Sequence, residues 1–196
     1  MDDRTLITPP TPYGNAIRFS CLEFDTLIDS SNITVEEQKK IAKTVHDNYN
    51  NYDGFVIIHG TDTMAYTASL LSFMLEGLNK TVVLTGSQIP ISELRNDAVD
   101  NLLGSLIVAG TFKIPEVCIY FCNKVLRGNR ATKDNSSKLH AFDSPNMDPL
   151  ATLDVNFVIN WDRVLRMNTG SLMLHDKLET NIAFITMSPI MNIKAL

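Results

Sequence analysis

Four continuous apolar runs, separated by segments of helical periodicity, constrain the fold of this chain most strongly. The runs are rich in branched and aromatic residues and show no alternation with polar residues. Such runs are typical of strands that are covered on both faces, as in a parallel sheet. The predicted strands are "FVII" (55–58), "TVVLT" (81–85), "VCIYF" (117–121) and "IAFIT" (182–186).

The segments between these runs predict helices. Residues 34–50 open with a capping box, Thr34 and Glu37, and carry apolar residues on one face with charges opposite. Residues 64–75 have few polar positions, and residues 97–108 place Val and Leu at helical spacing. The predicted fold class is therefore α/β, a three-layer αβα arrangement around a mostly parallel, doubly wound sheet. The more polar region 124–168 predicts loops and short antiparallel strands.

Composition excludes several classes of partner. The 196 residues include 17 basic and 22 acidic side chains, a net charge of −5, and no basic cluster. A nucleic-acid or anionic-membrane partner is therefore not expected. The length suits one domain, 1–196, or one incomplete pair of domains, with one sizeable core.

The three cysteines lack C-x-x-C spacing and predict reduced, buried thiols. The polar start is not a secretory signal, so a cytoplasmic location is expected.

Common catalytic signatures do not occur in the sequence. It contains no G-x-G-x-x-G, no P-loop, no H-E-x-x-H and no G-x-S-x-G. The four histidines are dispersed, and each is predicted to be structural or exposed. Neither a metal site nor a cofactor is expected.

The stretch "HGTDT" (59–63) places two hydroxyls and a carboxylate where an apolar strand turns into an apolar helix. Helix capping explains this in part, since Thr and Asp are favoured N-caps, but capping needs only one of them. The alternative is a ligand site, because Gly60 permits a tight turn and the carboxyl ends of parallel strands bind ligands in open α/β sheets. The local sequence leaves both readings open.

Several ordered segments resemble the amino-terminal domain of the cytoplasmic type I L-asparaginases, from about residue 17 to residue 185. The resemblance implies hydrolysis of L-asparagine to L-aspartate and ammonia through a threonine acyl-enzyme. It also implies a homo-oligomer in the complete protein and no cofactor. The segments that carry it are "HGTDTMAYTASLLSFMLEGL", "KTVVLTGSQIPISELRNDAVDNLLGSL", "IPEVCIYFCNKVLRGNRATK" and "FDSPNMDPLA".

The resemblance also implies roles for particular residues. Asp62 would bind the α-amino group of the substrate, and Ser30 and Ser31 would bind its α-carboxylate. Thr61 would be the second of two catalytic threonines, and Lys133 would form a triad with them. A free lysine is charged at pH 7, and a nearby carboxylate favours that charge. We therefore expect Lys133 to organise hydrogen bonds as a cation rather than to act as a neutral base.

Three further positions are predicted to lie near this site. Gly60 belongs to the same loop as Thr61. Ser87 and Gln88 follow the next predicted parallel strand, whose carboxyl end should lie at the same edge of the sheet. The alternative for these two is a plain turn after a strand.

The sequence departs from the family in lacking any Gly-Gly pair. Family members begin with a strand that ends in a Thr-Gly-Gly-Thr-type turn, whose first Thr is the primary nucleophile, and they carry a smaller second domain. We expect this chain to be incomplete at both ends and inactive alone. Two alternatives remain: an inactive domain that binds amino acids or a paralogue, and the amidase subunit of a tRNA-dependent amidotransferase.

Overall fold

The computed structural model describes residues 5–186 and 189. Three 3₁₀ turns, at Ser30–Asn32, Tyr49–Asn51 and Gly128–Arg130, accompany the helices and strands. The helices are α1 (Val35–Asp47), α2 (Met64–Met74) and α3 (Ala98–Thr111). The strands are β1 (Leu6–Ile7), β2 (Arg18–Phe19), β3 (Gly54–Ile58), β4 (Leu75–Glu76), β5 (Thr81–Thr85), β6 (Val117–Phe121), β7 (Lys124–Arg127), β8 (Thr132–Lys133), β9 (Phe142–Asp143), β10 (Ala151–Leu153), β11 (Phe157–Ile159) and β12 (Met173–Leu174).

A six-stranded mixed sheet forms the centre of the fold, in the order β11-β10-β7-β6-β5-β3. Strands β3, β5 and β6 are parallel to one another, whereas β7, β10 and β11 continue the sheet in antiparallel fashion. The parallel half confirms three of the four strands predicted from apolar runs. The antiparallel half confirms the short strands expected after residue 124.

The fourth predicted strand, 182–186, is wrong. These residues have no strand geometry, and Ile182 and Phe184 are exposed. An apolar run indicates a need for burial, but a strand also requires a neighbour to pair with, and none of the described residues pairs with this segment.

Helices cover both faces of the sheet. Val82 and Leu84 of β5 point into a core with α1 and α2, and Val83 between them points into a core with α3. Gly104 brings α3 close to the sheet, because a Cβ atom there would lie 2.2 Å from the Tyr120 ring. This alternation along β5 confirms the predicted three-layer arrangement.

Helix α1 begins as the sequence predicts. The Thr34 hydroxyl accepts a hydrogen bond from the Glu37 amide, and the Glu37 carboxylate accepts one from the Thr34 amide at 2.6 Å. The helix ends at Asp47, three residues before the predicted end, because the chain passes into a 3₁₀ turn at Tyr49–Asn51.

The parallel strands β3, β5 and β6 end at the same edge of the sheet, which gathers three loops there. The first follows β3 at 59–63, the second follows β5 at 86–90, and the third is the tight turn at 122–123 between β6 and β7. Both turn residues, Cys122 and Asn123, have positive φ values, of 44° and 66°. Residues from all three loops can therefore meet at one edge.

Strand β3 lies at one end of the central sheet. Among the described residues only β5 pairs with it, and Ile58 at its end is 72% exposed. All three cysteines are free thiols, but only Cys118 is buried. The prediction of buried thiols is wrong for Cys21, which is exposed, and for Cys122, which lies in the turn after β6 and is half-buried. No helix within the described part of the chain is long and apolar enough to cross a membrane.

Candidate functional site

The loop after β3 is held against the 3₁₀ turn at Ser30–Asn32. A Cβ atom at Gly60 would lie 2.4 Å from Ser30 Oγ and 2.7 Å from Ser30 Cβ, so only glycine fits at this position. Ser30 is itself buried, with 4% of its surface exposed. The structure therefore brings Ser30 and Gly60 together, although they are far apart in the sequence.

None of the three polar side chains of this loop caps helix α2. Thr63 is the N-cap residue, but its side chain makes no capping hydrogen bond and its hydroxyl donates to the Ser30 carbonyl oxygen at 2.7 Å. Thr61 and Asp62 also have partners outside the helix, described next. The capping explanation of the loop is therefore not supported.

Lys133 reaches this loop from the short strand β8, which pairs with β9. Its Nζ donates hydrogen bonds to Thr61 Oγ1 at 2.9 Å and to Asp62 Oδ1 at 2.7 Å. The Lys133 side chain is only 18% exposed, whereas that of Asp62 is 59% exposed. The ammonium group is thus enclosed between a hydroxyl and a carboxylate, and the carboxylate opens outward.

The Thr61, Asp62 and Lys133 side chains can still donate to, or accept from, a bound ligand. The Thr61 oxygen accepts from Lys133, so its own proton is free to be donated to another group. No described residue donates to the second oxygen of Asp62, which can accept from an external cation. The nearby amino terminus of α2 carries partial positive charge that favours an anion. The cluster suits a small ligand with both charges.

Ser31 makes contacts different from those of Ser30. Its hydroxyl donates to Asp29 at 2.8 Å, and its amide donates to the same carboxylate at 3.2 Å. These two bonds hold the pKa of Asp29 below its ordinary value. The Ser31 hydroxyl is therefore directed to Asp29, while Ser30 lies against the Gly60 loop.

Ser87 and Gln88 lie at the same edge, but no hydrogen bond in the described structure links them to Thr61, Asp62 or Lys133. The Gln88 side chain donates instead to the Lys138 carbonyl at 3.1 Å. Gly60, the third predicted near-site residue, lies against Ser30.

Asp97 and Asn101 fix the loop after β5, and both were missed as contributors to this edge. The buried Asp97 carboxylate accepts from the Gln88 amide at 3.0 Å, the Ile89 amide at 2.9 Å and Asn101 Nδ2 at 3.1 Å. Asn101 Nδ2 also donates to the Gly86 carbonyl at 2.9 Å. The available signal was a pair of polar residues four apart at the start of a mostly apolar helix.

His59 was predicted to be either a structural residue or an exposed one. It is buried. Its ring Nδ1 lies 2.7 Å from the Gly60 carbonyl oxygen. The ring therefore contacts the loop that carries Thr61. Within the described residues, no group of three or more His, Cys, Asp or Glu side chains could hold a metal ion.

Comparison with known proteins identifies the family. The family model described as asparaginase, N-terminal, matches residues 7–165. That match covers most of the chain, and it agrees with the mixed sheet and its flanking helices. The chain belongs to the asparaginase family.

Named relatives and a solved structure agree with this assignment. The chain is 45% identical over 190 residues to the human 60 kDa lysophospholipase, covering 96% of this chain and 33% of that protein. It is 45% identical over 178 residues to L-asparaginase 1 of Escherichia coli strain K12, covering 87% of this chain and 51% of that protein. The crystal structure of L-asparaginase I from Vibrio cholerae matches with a TM-score of 0.85 and 43% identity, over 90% of this chain and 54% of that one. The chain therefore spans about a third to a half of the length of these relatives.

Proposed function

We propose that this chain is the amino-terminal α/β domain of an L-asparagine amidohydrolase, which releases L-aspartate and ammonia from L-asparagine. The observation that carries the proposal is the bridge from Lys133 Nζ to both Thr61 Oγ1 and Asp62 Oδ1. An amino-acid amide presents a cation, an anion and a carbonyl carbon, so its site needs a carboxylate, donors for an anion and a hydroxyl near the amide. The cluster supplies these groups.

Each residue then has a distinct role. Asp62 binds the α-ammonium group through its outward carboxylate. Ser30 and Ser31 bind the α-carboxylate, for which the Ser31 hydroxyl exchanges its bond to Asp29 for one to the substrate. Lys133 stays a cation paired with Asp62 and orients the Thr61 hydroxyl, which exchanges a proton with the reacting groups. The short Lys133–Asp62 contact supports a charged organiser rather than a neutral base.

The acyl-forming threonine is proposed to come from a segment outside these 196 residues. The sequence has no Gly-Gly pair to form the family's nucleophile turn. The exposed outer side of β3, directly before the Thr61 loop, supports a further strand at that position. The same proposal includes assembly of the full-length protein as a cytoplasmic homo-oligomer.

The test is Asp62→Asn in the full-length protein that contains the nucleophile turn and the second domain. A hydrogen bond to a charged group contributes about 1.5–3 kcal/mol, so kcat/KM for ammonia release from L-asparagine should fall about 10- to 100-fold. Asp148→Asn is the matched control, because Asp148 is an exposed aspartate in a surface pair with Arg163.

The possible outcomes separate the proposals. Unchanged kinetics in Asp62→Asn would remove Asp62 from the site. Binding of L-asparagine by the parent without ammonia release would favour the binding-domain alternative. Release of fatty acid from a lysophospholipid, with no ammonia from asparagine, would overturn the amidohydrolase proposal.

A further inference from the structure

His59 occupies the junction between the sheet and the candidate site. It follows β3 directly, and its backbone amide donates to the Thr85 carbonyl at 2.8 Å, which continues the pairing of β3 with β5. Its ring is buried, with 8% of the residue exposed. The backbone of His59 thus belongs to the sheet, while its ring turns to the loop that carries Thr61.

The contacts of the ring determine its protonation. Nδ1 lies 2.7 Å from the Gly60 carbonyl oxygen, which can only accept, so Nδ1 carries a hydrogen. Nε2 is buried, and none of the described residues hydrogen-bonds to it. A second proton on Nε2 would bury a charge without an acceptor. Burial accordingly lowers the pKa of His59, although the bond to Gly60 acts in the opposite direction.

The bond to Gly60 has a consequence for Thr61. The peptide between Gly60 and Thr61 is planar, so holding its carbonyl oxygen also fixes the direction of the Thr61 amide. Gly60 also abuts Ser30, and the Thr63 hydroxyl donates to the Ser30 carbonyl. The His59 ring and Ser30 therefore both hold this short loop.

We propose that His59 is a positioning residue for Thr61: a neutral imidazole whose Nδ1–H holds the Gly60 carbonyl and so orients the peptide that presents Thr61 to Lys133. It does not touch the reacting groups in this arrangement. The kinetic part of this inference rests on the proposed amidohydrolase function, whereas the structural part does not.

The protonation is tested on the full-length protein by a measurement that does not depend on activity. Hydrogen exchange at the imidazole C2 carbon, followed by mass spectrometry as a function of pH, reports the titration of each histidine separately. The same histidine in the urea-unfolded protein serves as the reference. We expect His59 to titrate at lower pH in the folded protein than in the unfolded one, and to exchange more slowly. Titration of folded His59 at or above the pH of the unfolded reference would overturn the proposal.

Two variants separate positioning from simple packing. His59→Asn retains a donor at the place of Nδ1, whereas His59→Gln moves the amide to the place of Nε2. The readout is the backbone amide of residue 59, which donates to the Thr85 carbonyl at 2.8 Å and lies in the same peptide as Thr61. Its exchange should accelerate at least about tenfold in His59→Gln and stay near the parent rate in His59→Asn. Equal acceleration in both variants would show that His59 only fills space. Unchanged exchange in peptides from β5 confirms that each variant is folded.

The same variants in the full-length protein give the kinetic consequence. Misplacement of a reacting group by about 1 Å can cost about 10²-fold, so kcat should fall about 10- to 100-fold in His59→Gln with KM changed less than about twofold. His59→Asn should recover most of that loss, and equal losses would overturn the proposal. If the parent releases no ammonia from asparagine, the proposed function fails, and the exchange measurements still decide the role of His59.

Discussion

Substitution of Gly60 by Ala tests whether the Thr61 loop really packs against Ser30. The new methyl carbon would lie 2.4 Å from Ser30 Oγ and 2.7 Å from Ser30 Cβ, closer than nonbonded atoms approach. Ser30 cannot retreat freely, because it is buried and its carbonyl accepts from the Thr63 hydroxyl. Overpacking of this kind costs about 1–3 kcal/mol, and we expect Gly60→Ala to reduce the free energy of unfolding by that amount.

A double-mutant cycle makes this prediction specific. Ser30→Gly removes both colliding atoms and leaves the Ser30 amide nitrogen at 3.4 Å, an ordinary contact. In that background Gly60→Ala should cost about 1 kcal/mol less than in the parent, which is the coupling expected for residues in contact. Urea denaturation of the four proteins measures it, with Gly170→Ala as a surface control expected to change stability by less than about 0.5 kcal/mol. Additive costs would refute the contact and separate Ser30 from the loop.

Three further predictions concern the site, the second loop and the isolated chain. Lys133→Met should change the free energy of unfolding, measured by urea denaturation, by less than about 1 kcal/mol, because a partly exposed ion pair stabilises the fold little. It should nevertheless lower kcat in the full-length protein about 10²-fold or more, because it removes the group that donates to Thr61. Asp97→Ala should reduce the free energy of unfolding by about 2–3 kcal/mol, because it leaves the buried Asn101 amide and two partly buried backbone amides without their acceptor. The exposed control Asp154→Ala should leave it nearly unchanged. The 196-residue chain alone should release no ammonia from asparagine and should associate through the exposed edge of β3, measured by light scattering; a monomer that releases ammonia would contradict both expectations.

The strands that the sequence predicts correctly are those whose neighbours are also in the described structure. Residues 81–85 and 117–121 are mostly apolar and are buried throughout, because helices cover both faces of the sheet. Residues 182–186 have a similar composition but are exposed and lack strand geometry. The apolar content of a segment indicates that it is favourable to bury. Whether the segment is buried and paired as a strand depends on its neighbours in the tertiary structure.

The candidate site was only partly predictable from the sequence, because the tertiary structure brings its residues together from distant segments. The loop at 59–63 is recognisable because polar groups stand between two apolar elements, but Lys133 lies 72 residues after Thr61 in a polar stretch that resembles any exposed loop. Only the family resemblance indicated it. His59 and Asp97 were not assigned to the site, since the partner of a buried polar side chain depends on which loops the fold brings together.

The most direct test of the proposed amidohydrolase is the turnover of Thr61→Val in the full-length protein. Valine keeps the shape of threonine but removes the hydroxyl that accepts from Lys133 Nζ at 2.9 Å. Ammonia release from saturating L-asparagine should fall about 10²-fold or more, the loss typical of a positioned acid-base or oxyanion group, while the exposed control Thr152→Val should keep the parent kcat. A Thr61→Val protein that turns over asparagine at nearly the parent rate would contradict the central claim.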